Sequence, residues 1–170
     1  MRTVDVTAQI FIFKMPEEAK DEIIKAIDSM ERTSYVDDNQ SLSNTDWTLP
    51  KSYFRPYIQT SASLILKSIN EDNPITEEEL YINNMWFQQY EENDFHTWHT
   101  HGECMYSSVY YVELPESTAT TFRIGDEEVQ LEVEEGDYVV FPSLLSHCSK
   151  PNTTGKRKTI ISANINPKGY

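Results

Sequence analysis

The hydrophobic positions near the N-terminus follow two different periods. Between residues 4 and 12 every second residue is apolar, which is the pattern of a β-strand. Beyond Pro16 the apolar residues recur at three- and four-residue intervals, the pattern of a helix with one buried face: Ala19, Ile23, Ile27 and Met30. Proline and glutamates at positions 16–18 favour a helix start there. We therefore predict a strand followed by a helix.

The next segment, residues 31–51, is polar and rich in turn-forming residues, and we predict a long loop. Long loops in compact domains often close over binding sites, so we expect this one to act as a lid over a pocket. A second helix is predicted after Pro56, where a further apolar stripe is typical of a core-facing helix: Ile58, Ala62, Ile65, Leu66 and Ile69.

From residue 80 onward the pattern is that of strands separated by turns. The predicted strands are 80–90, 106–113, 119–124, 128–133, 138–141 and 157–165. Closely spaced short strands indicate a sandwich or barrel, for which a jelly roll is one solution, with the helices packed outside. We predict a single, mostly β domain over 1–170, in which 1–75 form an N-terminal strand and supporting helices and 76–166 form the jelly-roll core.

Charge and composition narrow the class of function. With 14 Lys and Arg against 28 Asp and Glu, the net charge is −14, which argues against nucleic acid as a ligand and favours a small-molecule or peptide substrate. No stretch is long and apolar enough to span a membrane, and the N-terminus lacks the features of a signal peptide. Two cysteines provide no disulfide framework, so a reducing cytoplasm, host cytoplasm if the protein is viral, is expected.

The histidines are concentrated in one place. Three of the four lie between residues 96 and 101. On a strand His99 and His101 would point to the same face, and His147, at the start of a later strand, could join them. Three ligands on one side of a metal leave the other side open, as in non-haem Fe(II) oxygenases. His96 has the opposite parity and is expected at the surface or in a supporting role. Glu103 continues the parity of His101 and is an alternative ligand.

Arg157 lies ten positions after His147. In a jelly roll this spacing can carry a side chain along the next strand into the pocket. A guanidinium there would hold a carboxylate by two hydrogen bonds. An iron centre together with a carboxylate-binding arginine is suited to 2-oxoglutarate, whose keto acid end would chelate the metal.

On these residues the sequence resembles the 2-oxoglutarate/Fe(II)-dependent oxygenases, and in particular small oxygenases of marine bacteria and their phages, which are prolyl-hydroxylase-like. Their pattern is His-x-His, a Ser-Gly-Val-Tyr-Tyr-Val strand, Phe-Pro-Ser before a last His, and an Arg on the closing strand. The matching residues here are His99-Thr-His101, Ser107-Ser-Val-Tyr-Tyr-Val112, Phe141-Pro-Ser-Leu-Leu-Ser-His147 and Arg157. The match covers about half of the chain, residues 80 to 166, and Ser108 replaces the usual Gly.

The resemblance implies a double-stranded β-helix (cupin-like jelly roll), the cofactor Fe(II), and 2-oxoglutarate and O2 as cosubstrates. It implies oxidative decarboxylation of 2-oxoglutarate to succinate, coupled to hydroxylation of a substrate that the sequence does not identify. In better-studied relatives the first two metal ligands come from a His-x-Asp or His-x-Glu motif, which fits His101-x-Glu103. The spacing in the small oxygenases of marine bacteria and phages favours His99-x-His101 instead. Tyr90 or Tyr106 is expected to donate a hydroxyl to the cosubstrate.

Two other classes of function compete. A cupin-type metalloprotein would use the three histidines with Fe or Zn but without 2-oxoglutarate, and Cys104 or Cys148 could then supply a thiolate to zinc. A non-catalytic interaction module would keep the barrel without turnover. Arg157 distinguishes the oxygenase from the cupin, which has no need of a carboxylate-binding side chain.

Overall fold

The computed structural model describes residues 8–16, 18–49, 62–63, 65–67, 69 and 80–168. Within these residues one helix and twelve strands have defined bounds. In chain order they are β1 (Phe11–Lys14), α1 (Glu18–Asp28), β2 (Tyr35–Val36), β3 (Gln40–Leu42), β4 (Asn44–Thr45), β5 (Leu80–Tyr90), β6 (Phe95–His99), β7 (Tyr106–Glu113), β8 (Thr121–Ile124), β9 (Glu127–Gln130), β10 (Asp137–Pro142), β11 (His147–Ser149) and β12 (Lys158–Pro167).

The strands form two six-stranded antiparallel sheets that face each other as a jelly roll. The first has the order β1-β10-β7-β12-β5-β4, and the second has the order β2-β3-β6-β11-β8-β9. Side chains from both sheets fill the space between them: Leu42, Tyr90, Val109, Tyr111, Ala119, Phe122, Val139, Phe141 and Ile160. The predicted fold class, mostly β with a jelly-roll core, is confirmed.

A second core covers the outer face of the first sheet. Alternation along β7 divides its residues between the two cores, because Val109 and Tyr111 face the barrel interior while Tyr110 and Val112 face outward. Ile23 and Ile27 of α1 are fully buried against this outer face. Residues 62, 63, 65–67 and 69 are also helical, and Ala62, Leu66 and Ile69 join the same core. The helices therefore support the sheet that carries part of the site.

The described part of the predicted loop, residues 31–49, contains three short strands, β2, β3 and β4, joined by turns and irregular segments. β3 pairs with β6 and β4 pairs with β5, so this segment lines the edges of both sheets. The Asp46 carboxylate accepts a hydrogen bond from the Phe87 backbone N–H at 2.8 Å. Such short polar strands have no alternation to detect, since tertiary hydrogen bonds and not an apolar face hold them in place. β3 and β4 therefore extend the edges of the two sheets beside β6 and β5.

Some predictions concern residues outside the described part of the chain. These are the first half of the N-terminal strand, residues 1–7, and the start of the second helix. Of the helices in the described part of the chain, none is long and apolar enough to cross a membrane.

Candidate metal centre

Three histidines from two parts of the chain, His99 and His101 from one and His147 from the other, meet beside the cavity between the sheets. His99, the last residue of β6, is paired with His147, the first residue of β11. His101 follows β6 by two residues, and its backbone N–H donates to the Ser143 carbonyl at 2.9 Å. One nitrogen from each ring lies within 4.8 Å of the other two. This spacing would allow all three imidazoles to bind one metal ion.

Backbone carbonyls fix two of these rings. The Nδ1 atom of His99 lies 2.8 Å from the Thr97 carbonyl, and Nδ1 of His147 lies 2.9 Å from the Leu145 carbonyl. Because a carbonyl oxygen can only accept, each Nδ1 carries the proton and donates it. The Nε2 atom of each ring then has a free lone pair, and this arrangement is common for histidines that bind metals.

Burial keeps the histidines in the form that binds metals. It lowers the pKa of His147 to about 3 and that of His101 to about 4, with a further lowering from His99 in both cases. The pKa of His99 is also lowered by burial. At neutral pH all three rings are therefore uncharged, and a metal would not have to displace protons from them.

His96 lies closer to this group than its strand parity predicts. β6 has one extra residue relative to β11, since His99 pairs with His147 but His96 pairs with Ser149. The resulting β-bulge turns His96 inward. Its ring stacks on that of His99 with centroids 3.8 Å apart and planes at 11°. Of the two expected positions, at the surface or in a supporting role, the structure has the second: His96 lines the cavity beside His99 and is not one of the three grouped histidines.

The structure does not bring Glu103 into the site. Glu103 is exposed, and the grouped side chains within the described residues are the three histidines alone. Cys104 and Cys148 are free and also lie outside this group; Cys104 Sγ is 3.7 Å from Ser107 Oγ. The alternatives that used a carboxylate or thiolate ligand therefore lack a geometric basis in the described part of the chain.

A cavity of about 200 Å³ adjoins the three histidines. Aromatic, aliphatic and neutral polar side chains line it, and none of its lining residues in the described part of the chain is Asp, Glu, Lys or Arg. Tyr90, one of the two tyrosines expected to donate to a cosubstrate, is among them. Tyr106 is not, because it faces the outer core, where its ring lies edge-on to Phe11 with centroids 6.4 Å apart. The alternation of β7 turns it away from the site.

Arg157 lies outside the cavity. Its guanidinium forms two hydrogen bonds with the Glu113 carboxylate, from Nε to Oε2 at 2.7 Å and from Nη2 to Oε1 at 2.9 Å. A third, from Nη1 to Asp28 Oδ1 at 3.2 Å, ties it to α1. Arg157 was predicted to reach into the pocket; it instead precedes β12 on the opposite face, because neighbouring residues of a strand point to opposite faces.

The next residue, Lys158, occupies the interior position. Its side chain is buried, and its Nζ donates to Ser149 Oγ at 2.8 Å and lies 4.9 Å from the centre of the Tyr90 ring. Both contacted residues line the cavity. Among the described residues no carboxylate pairs with this ammonium, and burial lowers the pKa of Lys158 to about 7. Lys158 was not predicted as a site residue, although it shares strand parity with the interior residues Ile160 and Ser162.

Comparison with solved structures identifies the fold. The chain is similar to a Pseudomonas putida prolyl-4-hydroxylase at 16% identity and a TM-score of 0.73, over 96% of this chain and 95% of the other. It is similar to a 2OG-Fe(II) oxygenase family oxidoreductase from Burkholderia pseudomallei at 9% identity and a TM-score of 0.71, over 92% and 85%. It is also similar to HygX from Streptomyces hygroscopicus, solved with nickel, 2-oxoglutarate and hygromycin B, at 9% identity and a TM-score of 0.66, over 96% and 85%.

No family model matches the sequence, and no curated protein matches it. At these identities the solved structures establish the fold and not the activity. The chain has the double-stranded β-helix of the 2-oxoglutarate/Fe(II)-dependent oxygenases, as its sequence resemblance implied, and three histidines that could bind a metal.

Proposed function

We propose that this protein is an Fe(II)- and 2-oxoglutarate-dependent oxygenase, a dioxygenase that hydroxylates a small-molecule or peptide substrate and converts 2-oxoglutarate to succinate and CO2. The observation that carries the proposal is the position of Lys158. Its buried ammonium has no carboxylate partner among the described residues and contacts the wall of the cavity that the three histidines share. An unpaired buried cation is costly, and a bound dicarboxylate would relieve that cost.

The metal would be held by His99, His101 and His147. Bound Fe(II) would supply the activation of O2 that couples the loss of CO2 from 2-oxoglutarate to oxidation of a C–H bond. These three histidine ligands differ from the two histidines and one carboxylate that are typical of such enzymes, yet imidazole suits Fe(II) well. The carbonyls that fix His99 and His147 support this assignment, because they leave one lone pair on each ring free.

The distal carboxylate of 2-oxoglutarate would meet the Lys158 ammonium, in the role that the sequence analysis assigned to Arg157. Two hydroxyls could assist, since Ser149 Oγ lies 2.8 Å from Nζ and Tyr90 is hydrogen-bonded to Ser149. Burial raises the pKa of Tyr90 well above its ordinary value, so its hydroxyl stays protonated and can donate. An ammonium and two hydroxyls would together satisfy a carboxylate.

Aromatic packing would hold the reacting groups in place and exclude water. The rings of Phe141 and Phe122 pack against His147 with centroids 4.8 and 6.1 Å away, and both phenylalanines are fully buried. Such packing restricts the orientation of His147, and a low-dielectric surrounding strengthens the attraction between Lys158 and a bound carboxylate.

One observation favours a second candidate. Three histidines that leave one side of the metal open are also a ligand set for zinc. The alternative is therefore a cupin-type metalloprotein that binds Zn or Fe and does not use 2-oxoglutarate. Such a protein would not need Lys158. The two free cysteines fit a reducing cytoplasm, which we propose as the compartment.

Turnover of 2-oxoglutarate tests the proposal. Purified protein would be loaded with Fe(II) in air, and succinate would be followed by NMR in the wild type, His147→Ala, Lys158→Met and Arg157→Ala. We expect succinate from the wild type and from Arg157→Ala, the matched control that removes the neighbouring cation. We expect background levels from the other two variants. Succinate at the same low rate in all four proteins would mean free-iron chemistry and would overturn the proposal.

A further inference from the structure

Gln88 is a buried amide with one end already paired and the other end free. It belongs to β5, is 5% exposed and lines the cavity beside the three histidines. Its Oε1 accepts a hydrogen bond from Ser162 Oγ at 3.2 Å. In the described part of the chain its Nε2 donates to no acceptor. Leaving a buried donor unpaired is unfavourable, so this NH2 group needs a specific explanation.

The free NH2 group has open space next to it. The fully enclosed side-chain atoms of the described residues that lack a partner belong to Trp86 and Asn164, and Nε2 of Gln88 is not one of them. Nε2 therefore keeps accessible surface. Because the residue is almost completely buried and lines a cavity of about 200 Å³, that surface belongs to the cavity. A ligand in the cavity can accept the hydrogen bond that the protein does not.

The strand register places Gln88 between two parts of the proposed site. Three interior pairs follow one another along β12 and β5: Lys158 with Tyr90, Ile160 with Gln88, and Ser162 with Trp86. Successive interior residues of a strand are about 7 Å apart. The Trp86 ring stacks near that of His101, with centroids 6.1 Å apart. Gln88 thus lies one pair from Lys158 in one direction and one pair from a neighbour of a proposed metal ligand in the other.

A chelating keto acid has an oxygen that suits a neutral donor. When the keto oxygen and one carboxylate oxygen bind a metal, the second oxygen of that carboxylate still accepts hydrogen bonds. The metal balances most of its charge, so an amide N–H is sufficient there, whereas a distal carboxylate without a metal calls for the Lys158 ammonium. None of the lining residues in the described part of the chain is charged, and an amide is the kind of donor that this wall offers.

We propose that Gln88 binds the metal-chelating end of 2-oxoglutarate, with Nε2 donating to the carboxylate oxygen of the keto acid that the metal leaves free. Ser162 is the positioning residue, because its hydroxyl holds Oε1 and so directs the NH2 group into the cavity. The inference rests on the proposed oxygenase function. It deepens that function by assigning the two ends of the cosubstrate to two different donors, Gln88 and Lys158, which can be tested separately.

Affinities for two keto acids provide the test, measured by anaerobic calorimetry on Fe(II)-loaded, full-length protein. The probes are 2-oxoglutarate and 2-oxobutyrate, which has the same keto acid end but no distal carboxylate. The variants are Gln88→Met, of similar length but without a donor, and Lys158→Met. Gln40→Met is the matched control, since Gln40 also lines the cavity but is only half-buried, and its side chain is already hydrogen-bonded to Asp37.

We expect Gln88→Met to weaken the binding of both keto acids at least about tenfold, the loss expected for one hydrogen bond to a charged group. Lys158→Met should weaken the binding of 2-oxoglutarate alone, and Gln40→Met should weaken neither. Ser162→Ala should weaken both keto acids by a smaller factor, whereas Ser162→Thr, which retains the hydroxyl, should bind like the wild type. Ser162→Ala carries the test if Gln88→Met loses the native circular dichroism.

Unchanged affinities in folded Gln88→Met, or in Ser162→Ala where it takes that place, would overturn the proposal. A loss confined to 2-oxoglutarate would also overturn it, because that result would place Gln88 at the distal carboxylate. Both outcomes leave the oxygenase proposal standing, since the wild type still binds 2-oxoglutarate. A wild type that binds neither keto acid in the presence of Fe(II) would overturn both proposals.

Discussion

The clearest consequence of the buried Lys158 concerns pH. Burial lowers its pKa to about 7, so the ammonium is charged below that pH and neutral above it. The groups near it are the hydroxyl of Ser149, the ring of Tyr90 and the thiol of Cys148, and no carboxylate of the described residues holds the charge in place. Because a carboxylate binds only to the charged form, 2-oxoglutarate should bind more weakly as the pH rises above 7.

The size of the effect follows from the fraction of Lys158 that is protonated. With a pKa of about 7 in the unliganded protein, raising the pH from about 6 to about 9 lowers that fraction, and with it the affinity for 2-oxoglutarate, by roughly 90-fold. Above pH 7 the slope approaches tenfold per pH unit. Binding takes up a proton in this range, so kcat at saturating 2-oxoglutarate should change much less than KM.

Calorimetry of Fe(II)-loaded protein under anaerobic conditions measures the Kd of 2-oxoglutarate at each pH directly. The control ligand is 2-oxobutyrate, which keeps the keto acid end but has no distal carboxylate, so pH effects at the metal cancel in the ratio of the two Kd values. The control protein is Lys158→Arg, whose guanidinium stays charged over the whole range and should make the ratio independent of pH. A ratio that is equally flat in the wild type would refute the reasoning.

Three further predictions concern single side chains. Arg157→Ala should cost about 1 kcal/mol of unfolding free energy or less, measured in urea, because its pair with Glu113 is partly exposed; 2-oxoglutarate affinity should not change. His101→Ala should weaken Fe(II) binding at least about tenfold, whereas His101→Asp should retain it, since a carboxylate is a good Fe(II) ligand; equal loss in both variants would contradict the ligand assignment. Phe122→Ala should cost about 3–5 kcal/mol, because the ring is fully buried between the sheets; a urea midpoint near that of the wild type would contradict this packing.

The parts of the fold that could be predicted are the longer elements with several apolar residues. β5 and β7 lie where they were predicted and α1 lies within its predicted range; α1 has one buried face, whereas β7 is buried on both faces. β2, β3 and β4 are two or three residues long and largely polar, so their sequence has no period to detect. β3 is defined by its pairing with β6, β4 by its pairing with β5, and β2 by its pairing with β3, so their formation depends on residues distant in sequence.

The same distinction applies to the site. The grouping of His99, His101 and His147 could be predicted from spacing and resemblance, because the family pattern gives the order and spacing of these residues along the strands. The orientation of His96 could not, because a bulge opposite β11 reverses its parity. Arg157 was chosen over Lys158 by residue type and spacing. A difference of one residue on a strand moves a side chain to the other face, and only the pairing of Lys158 with Tyr90 fixes which residue faces inward.

The central claim is that three histidines and Lys158 together hold Fe(II) and 2-oxoglutarate. The most direct measurement is the visible charge-transfer band of an Fe(II)–keto acid chelate, recorded while metal-free protein is titrated anaerobically with Fe(II) and then with limiting 2-oxoglutarate. We predict the band in the wild type and in Arg157→Ala, and its loss in His147→Ala and Lys158→Met. Iron binding without the band in the wild type would contradict the claim and favour the cupin-type alternative.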